Sequence, residues 1–374
     1  MARVIDLAAH PAAYSGRLLV EVGHEVIRVE PRAGDALRRL GPHLGAMSGL
    51  EHGAFHQFLN AGKRSFTPDL DTPTGKRLFL DLVTTADVLI ASLPLPVDEA
   101  DILQANPRLV LVKVENGQPE ACAYARSGLL CLTGHPGQRP VVMGGHVVYA
   151  ATGLFVAVAA AAAMLVQQLT DAGQVVEVSL QQCLEGLAEQ AMVVYTSTGK
   201  ITHRRGYRGA ITAVSGALPC ADGYWMISVP HTPEGWAKFM DWVQDPELLS
   251  DPDLSDEAER NAKRDFILDR LETWSKRYPK EELVVEAQRR HIPASPVATP
   301  LDLVDDPQLL ARGFLREMDH PEFGRVPFPM GAIASVRGNV PGYAPRLGEH
   351  NGQVLSGLGY SEQEQASLLD CGAV

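Results

Sequence analysis

The first part of the chain alternates short apolar runs with stretches in which apolar residues recur every three or four positions. The first pattern predicts β-strands and the second predicts helices between them. Thr72 is a predicted helix N-cap because Pro73 follows it at the first helical position, and Gly23 is predicted to end the first helix. The predicted strands are "RVIDLA", "HEVIRVEP", "KRSFTPDL", "DVLIAS" and "RLVLVKVE"; the predicted helices are "AYSGRLLVEVG", "TPTGKRLFLDLVTTA" and "VDEADILQANP".

An uncharged, alanine-rich run from Val147 to Val166 follows, and its length is sufficient to cross a bilayer. Alanine is nearly neutral for membrane insertion, and the run lacks the flanking Lys and Arg residues and the paired belts of Trp and Tyr that a membrane-spanning helix has at its two ends. In a soluble chain, a helix that is apolar on all sides is surrounded by protein. We therefore expect a buried core helix rather than a membrane span.

The pattern changes near Lys200. Before it, "GQVVEVSL" predicts a strand and "QQCLEGLAEQAMVVYTSTG" a helix that ends at Gly199. After it come a basic loop, "HRRGYRG", a hairpin arm with an Asp222-Gly223 turn, three helical stretches, and a proline-rich loop over 292–306. These changes predict a large domain over 1–199, a small domain over 200–319, and a return to the large domain over 320–374.

Composition indicates an ordinary globular protein, and the length predicts two domains or one large domain with an inserted lobe. The chain has 374 residues, of which 45% are hydrophobic and 21% charged. Its formal net charge of −12 disfavours nucleic acid as a general partner, because phosphate binding requires concentrated Lys and Arg. The five cysteines contain no CxxC pair and the N-terminus carries no cleavable signal, so the expected compartment is a reducing cytoplasm.

Several reaction classes lack their sequence motifs. No GxGxxG follows the first predicted strand, so we expect no NAD. The histidines form no HExxH motif and do not stand at metal-ligand spacing with cysteines, so no metal site is predicted. A serine-hydrolase elbow of the G-x-S-x-G type is also missing.

Four stretches, taken in order along the whole chain, resemble the class III CoA-transferase family of the formyl-CoA transferase and carnitine CoA-transferase type. The resemblance implies an α/β fold in which a Rossmann-like large domain, built from both chain ends, accompanies a smaller α+β second domain. It also implies an interlocked dimer, an acyl-CoA and a carboxylic acid as substrates, and no metal or redox cofactor. The stretches are "AYSGRLLVEVGHEVIRVEPRAGDALRRLGPH", "FLNAGKRSFTPDL", "SGLLCLTGHPGQRPVVMGGHVVYAATGLF" and "RLGEHNGQVLSGLGYSEQEQASLLDCGAV".

The resemblance further implies that the large domain holds the adenosine-phosphate end of CoA. Guanidinium and ammonium groups near strand ends are common partners of phosphate. The predicted CoA-binding residues are therefore Asn60, Lys63 and Arg64, with Arg32, Arg38 and Arg39 as further phosphate contacts.

Tyr149 departs from the family pattern. The resemblance implies an aspartate at this position, which attacks the thioester carbonyl and later carries CoA as a thioester. A phenol, with a pKa of about 10, cannot form those intermediates. Glu120 is a candidate replacement nucleophile, or else a carboxylate without a direct role. His146 and Tyr149 are a candidate acid/base pair, with packing and helix capping as the alternative.

Three hypotheses follow for the function. The "AAYSG" stretch resembles subunits of heteromeric members such as the benzylsuccinate CoA-transferase type, in which one subunit carries the aspartate and its sister does not. The first hypothesis is accordingly a CoA-transferase subunit that acts beside an Asp-bearing paralogue. The second is a stand-alone enzyme that performs other acyl-CoA chemistry with Glu120, His146 or Tyr149. The third is a non-catalytic binding or regulatory protein on the same scaffold.

Overall fold

The computed structural model describes residues 1–46, 49–115, 119–208, 212–331 and 342–374. The chain forms two compact units. The units differ from the predicted domains in three segments: residues 130–142 and 191–199 lie in unit 2, and residues 306–319 lie in unit 1. The domain boundaries themselves stay a prediction. Unit 1 comprises Met1–Leu129, Met143–Gln190 and Asp306–Val374, and unit 2 comprises Leu130–Val142 and Ala191–Asp305.

A six-stranded parallel sheet forms the centre of unit 1, which confirms the predicted α/β fold. Its strand order is β3-β2-β1-β4-β5-β6. The strands read as nearly continuous Val, Ile and Leu because helices cover both faces of the sheet. In register, Ile5 of the first strand pairs with Ile27 and Leu89 of its two neighbours. The strands are β1 Arg3–Leu7, β2 Glu25–Val29, β3 Arg64–Phe66, β4 Val88–Ser92, β5 Val110–Glu115 and β6 Gln174–Ser179.

The helices agree with the predicted periodic stretches, although two long stretches are each divided. Residues 180–198 form two helices that meet at Ala188, and residues 257–275 form two helices that meet at Lys263. The helices are α1 Ala13–Glu21, α2 Ala54–Asn60, α3 Pro73–Val83, α4 Glu99–Ala105, α5 Glu120–Arg126, α6 Leu129–Leu132, α7 Val147–Thr170, α8 Leu180–Leu187, α9 Glu189–Thr198, α10 Pro233–Val243, α11 Pro246–Leu249, α12 Glu257–Ala262, α13 Arg264–Ser275, α14 Lys280–Arg289, α15 Pro300–Val304, α16 Pro307–Ala311, α17 Asn351–Gly357 and α18 Glu362–Asp370.

Both ends of the chain contribute to the core of unit 1. Val354 and Leu368, from the last two helices, belong to the same buried cluster as Ile27 and Phe79. The predicted start of α3 is confirmed, since the Thr72 hydroxyl accepts a hydrogen bond from the backbone N–H of Gly75 at 3.1 Å. The C-terminal return to the large domain is therefore part of the hydrophobic core.

The alanine-rich helix α7 packs on the other face of the sheet. Val156, Ala160 and Met164 are buried in the cluster that contains strand residues Val88 and Val110. By length and composition α7 could span a membrane, but 44% of its most apolar window is buried inside the protein. The expectation that protein surrounds α7 on all sides is wrong for the single chain, because the sheet and α1 cover only one side.

Unit 2 contains a three-stranded sheet of order β7-β8-β9. The predicted hairpin is confirmed, but its two loop residues are Ala221 and Asp222, since Cys220 pairs with Gly223. The proline-rich segment, predicted as a loop with a short helix, also holds strand β9. The strands are β7 Ser215–Cys220, β8 Gly223–Ser228 and β9 Ala294–Pro296; unit 1 adds the hairpin β10 Leu315–His320 and β11 Gly324–Pro329.

Candidate functional site

The carboxyl ends of β1 and β4 lie side by side where the strand order of the sheet reverses. In open parallel sheets this position forms the crevice in which ligands bind. The Ser92 hydroxyl, at the end of β4, accepts a hydrogen bond from the backbone N–H of Ala9 at 2.8 Å and joins the two strand ends. His10 follows β1 at this edge, and Glu120 follows β5. Helix α7 also begins at this edge, because it must end at the opposite edge to lead into the parallel strand β6.

A cavity of about 280 Å³ opens at this edge. Aromatic and aliphatic side chains supply most of its walls, and its polar groups are two imidazoles and two phenols. Among the described residues, none that lines the cavity is Asp or Glu. The lining residues are His10, Tyr14, Phe55, Phe58, Leu59, Gly145, His146, Tyr149 and Ala150.

Three rings meet at the polar part of this cavity. The His10 ring centroid is 4.7 Å from that of Tyr149 and 5.1 Å from that of His146. Phe55 packs its ring against His146 at 4.8 Å, with the ring planes perpendicular. His146 has a left-handed backbone conformation (φ 54°) directly before α7, which places Tyr149 in the first turn of that helix. Burial, followed by the nearby His146, lowers the pKa of His10, so its ring is neutral at pH 7.

Glu120 lies next to this ring cluster. Its carboxylate is 3.8 Å from His146 Nδ1, which exceeds hydrogen-bond length, and that nitrogen has no hydrogen-bond partner among the described residues. Burial raises the pKa of Tyr149, and the negative charge of Glu120 raises it further. The phenol therefore stays protonated at neutral pH and can donate a hydrogen bond, but it does not supply a phenolate. The structure brings the three predicted residues Glu120, His146 and Tyr149 together.

The predicted CoA-binding residues Asn60 and Lys63 occupy a different place, inside unit 1. The Lys63 ammonium donates to Asp6 at 2.7 Å and to Asn60 Oδ1 at 3.0 Å, and its side chain is fully buried. Arg28 also donates to the Asp6 carboxylate, at 3.1 Å. Burial raises the pKa of Asp6, but Lys63 and Arg28 outweigh burial and hold that pKa below its usual range.

Arg38 is equally enclosed. Its guanidinium contacts both oxygens of Glu30 at 2.7 Å, the Glu51 carboxylate at 2.7 Å and the Pro345 carbonyl at 3.2 Å. Burial raises the pKa of Glu30, but hydrogen bonds and charge from Arg38 outweigh it and lower that pKa to about 2. Each guanidinium nitrogen of Arg38 is thus already bonded within the fold, and its role in phosphate binding stays a prediction.

The remaining predicted phosphate contacts lie at the surface. Arg32 donates to the Gly372 carbonyl at 2.9 Å and Arg39 to the Gly34 carbonyl at 3.1 Å. Arg64 pairs with Glu25 at 2.7 Å, and 45% of its side chain is exposed. These three arginines are therefore the accessible cations of the predicted set.

Sequence reasoning missed His10, Tyr14, Phe55 and Phe58. The available signal was weak: His10 directly follows a predicted strand, and residues that follow parallel strands meet at one edge of the sheet. Phe55 and Phe58 lie on the short helix α2 and have no motif of their own. Among the described residues, no group of three or more His, Cys, Asp or Glu side chains is arranged to hold a metal ion.

Comparison with known proteins covers nearly the whole chain. Residues 2–351 match the family model described as CoA-transferase family III. The chain is 30% identical to succinyl-CoA:(R)-benzylsuccinate CoA-transferase subunit BbsE of Thauera aromatica, over 100% of this chain and 97% of the relative. It is 27% identical to succinyl-CoA–D-citramalate CoA-transferase of Chloroflexus aurantiacus, over 98% of this chain and 95% of that one.

The solved structures include a similar fold. A CAIB/BAIF family protein from Brucella suis superimposes with a TM-score of 0.82 at 25% identity, over 96% of this chain and 98% of the other. The family match, the full-length relatives and the site at the switch point of the sheet agree with the resemblance found in the sequence. The chain belongs to CoA-transferase family III.

Proposed function

We propose that this chain is a subunit of a class III CoA-transferase that moves CoA from an acyl-CoA to a carboxylic acid, and that an Asp-bearing paralogue supplies the nucleophile. In that reaction a carboxylate of the enzyme attacks the thioester carbonyl and releases the CoA thiolate. The thiolate then attacks the enzyme-side carbonyl of the mixed anhydride, which forms the enzyme thioester and releases the donor acid as a carboxylate. The enzyme-bound CoA thioester finally passes CoA to the acceptor acid. Each of these covalent intermediates requires a carboxylate on the protein, which neither an imidazole nor a phenol can replace.

One observation carries the proposal. Tyr149, which stands where the resemblance puts the nucleophilic aspartate, faces a cavity whose lining contains no carboxylate. Its raised pKa keeps the hydroxyl protonated. The full-length similarity to BbsE, which is named as one subunit of a CoA-transferase, supports the same arrangement.

An exposed apolar face on α7 supports a partner chain. Leu154, Val158 and Leu169 are 52%, 59% and 78% exposed, and they lie on the side of the helix opposite the sheet. A contiguous apolar face of this kind usually marks a protein interface. The resemblance implies an interlocked dimer, so the proposed occupant of this face is the second subunit.

Co-expression tests the proposal. The chain is purified alone and with an Asp-bearing paralogue. CoA transfer from succinyl-CoA, which both relatives carry in their names, is measured for a panel of carboxylic acids. We expect transfer only from the complex, with loss of activity when the paralogue's aspartate is changed to asparagine. Full activity of the lone chain would contradict the proposal.

A stand-alone enzyme is the second candidate, because the structure places Glu120 3.8 Å from His146 and next to Tyr149. A carboxylate, an imidazole and a phenol in this arrangement could move a proton on a bound acyl-CoA. This candidate predicts turnover by the lone chain that falls in Glu120→Gln, His146→Ala or Tyr149→Phe. Unchanged turnover in all three variants would exclude it.

A further inference from the structure

A cavity of about 510 Å³ in unit 2 is surrounded by arginines. It lies on the basic loop that the sequence showed before the hairpin, and neither the family resemblance nor the proposed function uses it. In a chain of net charge −12, a cluster of cations around one cavity is a local exception. The lining residues are His135, Pro136, Arg204, Arg205, Tyr207, Arg208, Arg264 and Asp265.

Two segments of unit 2 build the cavity as a fixed structure. Arg204 donates to the carbonyls of Cys131 at 3.2 Å and Gln138 at 3.1 Å, which ties the loop to the segment 130–142. The backbone N–H of Gly206 donates to the Gly134 carbonyl at 3.1 Å. Gly206 has φ +65°, and a Cβ atom there would approach the His135 ring at 3.0 Å. The loop thus follows one defined path against its neighbour.

Arg208 anchors the other end of the loop on helix α13. Its guanidinium pairs with Asp265 at 3.1 Å, with Glu272 at 3.1 Å and with Asp269. These three carboxylates are spaced by four and three residues, so they lie on one side of the helix. The Tyr207 hydroxyl also donates to Glu272, at 3.2 Å. The carboxylates near the cavity are therefore engaged by Arg208 and Tyr207.

The other three arginines have no carboxylate partner. Within the described part of the chain, no Asp or Glu lies within ion-pair distance of Arg204, Arg205 or Arg264; the ion pairs of the nearby surface are those of Arg208. The Nε atoms of Arg204 and Arg264 are buried without a hydrogen-bond partner. Like charges around one cavity repel each other, and a bound anion would relieve that repulsion.

From these contacts we infer that the cavity of unit 2 binds the diphosphate group of a nucleotide. Arginine binds phosphate oxygens through paired N–H groups, and several arginines around one cavity suit two adjacent phosphates. The ring pair of His135 and Tyr207, with centroids 6.0 Å apart, offers aromatic surface beside the phosphates for a base. The diphosphate could belong to CoA or to a free nucleotide, and the experiment separates these two sources.

The test is calorimetric titration of the full-length chain with inorganic pyrophosphate, ADP and CoA. The variant is Arg205→Gln/Arg264→Gln, and the matched control is Arg289→Gln, an arginine of unit 2 whose side chain is 70% exposed and pairs with Glu286. We expect pyrophosphate and ADP to bind the wild type and the control equally, and the double variant at least about tenfold more weakly. Thermal unfolding of each variant verifies that the fold is retained.

Competition identifies the source of the diphosphate. If CoA displaces pyrophosphate from the wild type and binds the double variant more weakly than the control, the ligand of the cavity is the diphosphate of CoA. If CoA binds the double variant and the control equally, the ligand of the cavity is a free nucleotide. The inference is overturned if neither pyrophosphate nor ADP binds the wild type, or if the double variant binds both as tightly as the control. These binding results do not depend on whether the chain functions as a transferase subunit.

Discussion

Two regions of unit 1 use charge in opposite ways. The buried charge cluster, which we define as Asp6, Arg28, His56, Asn60 and Lys63, is closed to solvent and its charged groups are paired. The cavity at the carboxyl edge of the sheet is open, and no carboxylate lines it. Of the cations that the sequence suggested for ligand binding, Lys63 belongs to the first region, whereas the candidate reaction site belongs to the second.

The difference shows that a charged residue near a strand end has two possible uses. In a closed environment a charge must be paired, and the pair then positions the chain; Gly16, for example, passes so close that a Cβ atom there would lie 2.4 Å from Asp6 Oδ2. In an open cavity a charge is available to a ligand. Sequence position does not separate these uses, because burial is set by the packing of distant segments.

The largest expected effect is loss of stability when the buried charge cluster is broken. Lys63→Met leaves Asp6 with one cation fewer in a dry environment, so we expect a loss of about 3 kcal/mol in the free energy of unfolding, measured by urea denaturation. Arg64→Met is the matched control, since Arg64 is adjacent and its ion pair is exposed; it should cost less than about 1 kcal/mol. If the Lys63→Met protein is as stable as the wild type but no longer binds CoA, Lys63 binds phosphate and is not required for stability.

The next effect is a pH dependence that originates in the same cluster. His56 Nδ1 accepts a hydrogen bond from Asn60 Nδ2 at 3.0 Å, and burial, followed by the charge of Arg38, lowers the pKa of His56 from 6.5 to about 3. Between those values the unfolded chain binds a proton that the folded chain does not, so stability falls as the pH falls below 6.5. The loss from pH 8 to pH 5 should be about 2 kcal/mol smaller in His56→Leu than in the wild type.

Urea denaturation at pH 8 and pH 5 measures this difference. His231→Leu serves as the control, because the His231 side chain is exposed to solvent. An identical pH dependence in wild type and His56→Leu would show that His56 is not held neutral by the cluster.

The third test introduces a carboxylate into the cavity at the edge of the sheet. It removes the difference between this cavity and the buried charge cluster, which already contains a carboxylate. Tyr149→Asp places a carboxylate at the position where the resemblance implies one. We therefore expect the rate of CoA transfer from succinyl-CoA by the lone chain to rise at least about tenfold. The enzyme-bound CoA thioester should be detectable by intact-protein mass spectrometry. Tyr149→Asn has nearly the same shape without the nucleophile, and equal activities of the two variants would contradict the assignment of this position.

The smallest expected effect is on stability at the cavity itself. His10 makes ring contacts with Tyr149 and His146, and its side chain has no hydrogen bond or ion pair among the described residues. His10→Leu should therefore change the free energy of unfolding by less than about 1 kcal/mol, as measured by urea denaturation. A loss as large as that of Lys63→Met would show that the cavity wall is part of the structural core.

Local pattern predicted much of the fold. The strands of the central sheet and the cap at Thr72 follow from periodicity and turn residues, and the structure confirms them. Strand β9 was missed because its three residues, Ala294–Pro296, include a proline and show no alternation; pairing with β8 decides its conformation. The apolar character of α7 was evident, but its exposed side was not, because exposure depends on how far the sheet extends.

For the site, the sequence determined the chemistry and the structure determined the geometry. The sequence alone named Tyr149, His146 and Glu120, and the order of its motifs resembled CoA-transferase family III, because residue identity and spacing are local properties. Only the tertiary structure decided that Lys63 is enclosed with Asp6 and that His10 faces Tyr149. A parallel sheet brings the ends of strands that are distant in sequence to one edge, and burial then selects which charges are paired and which stay open to a ligand.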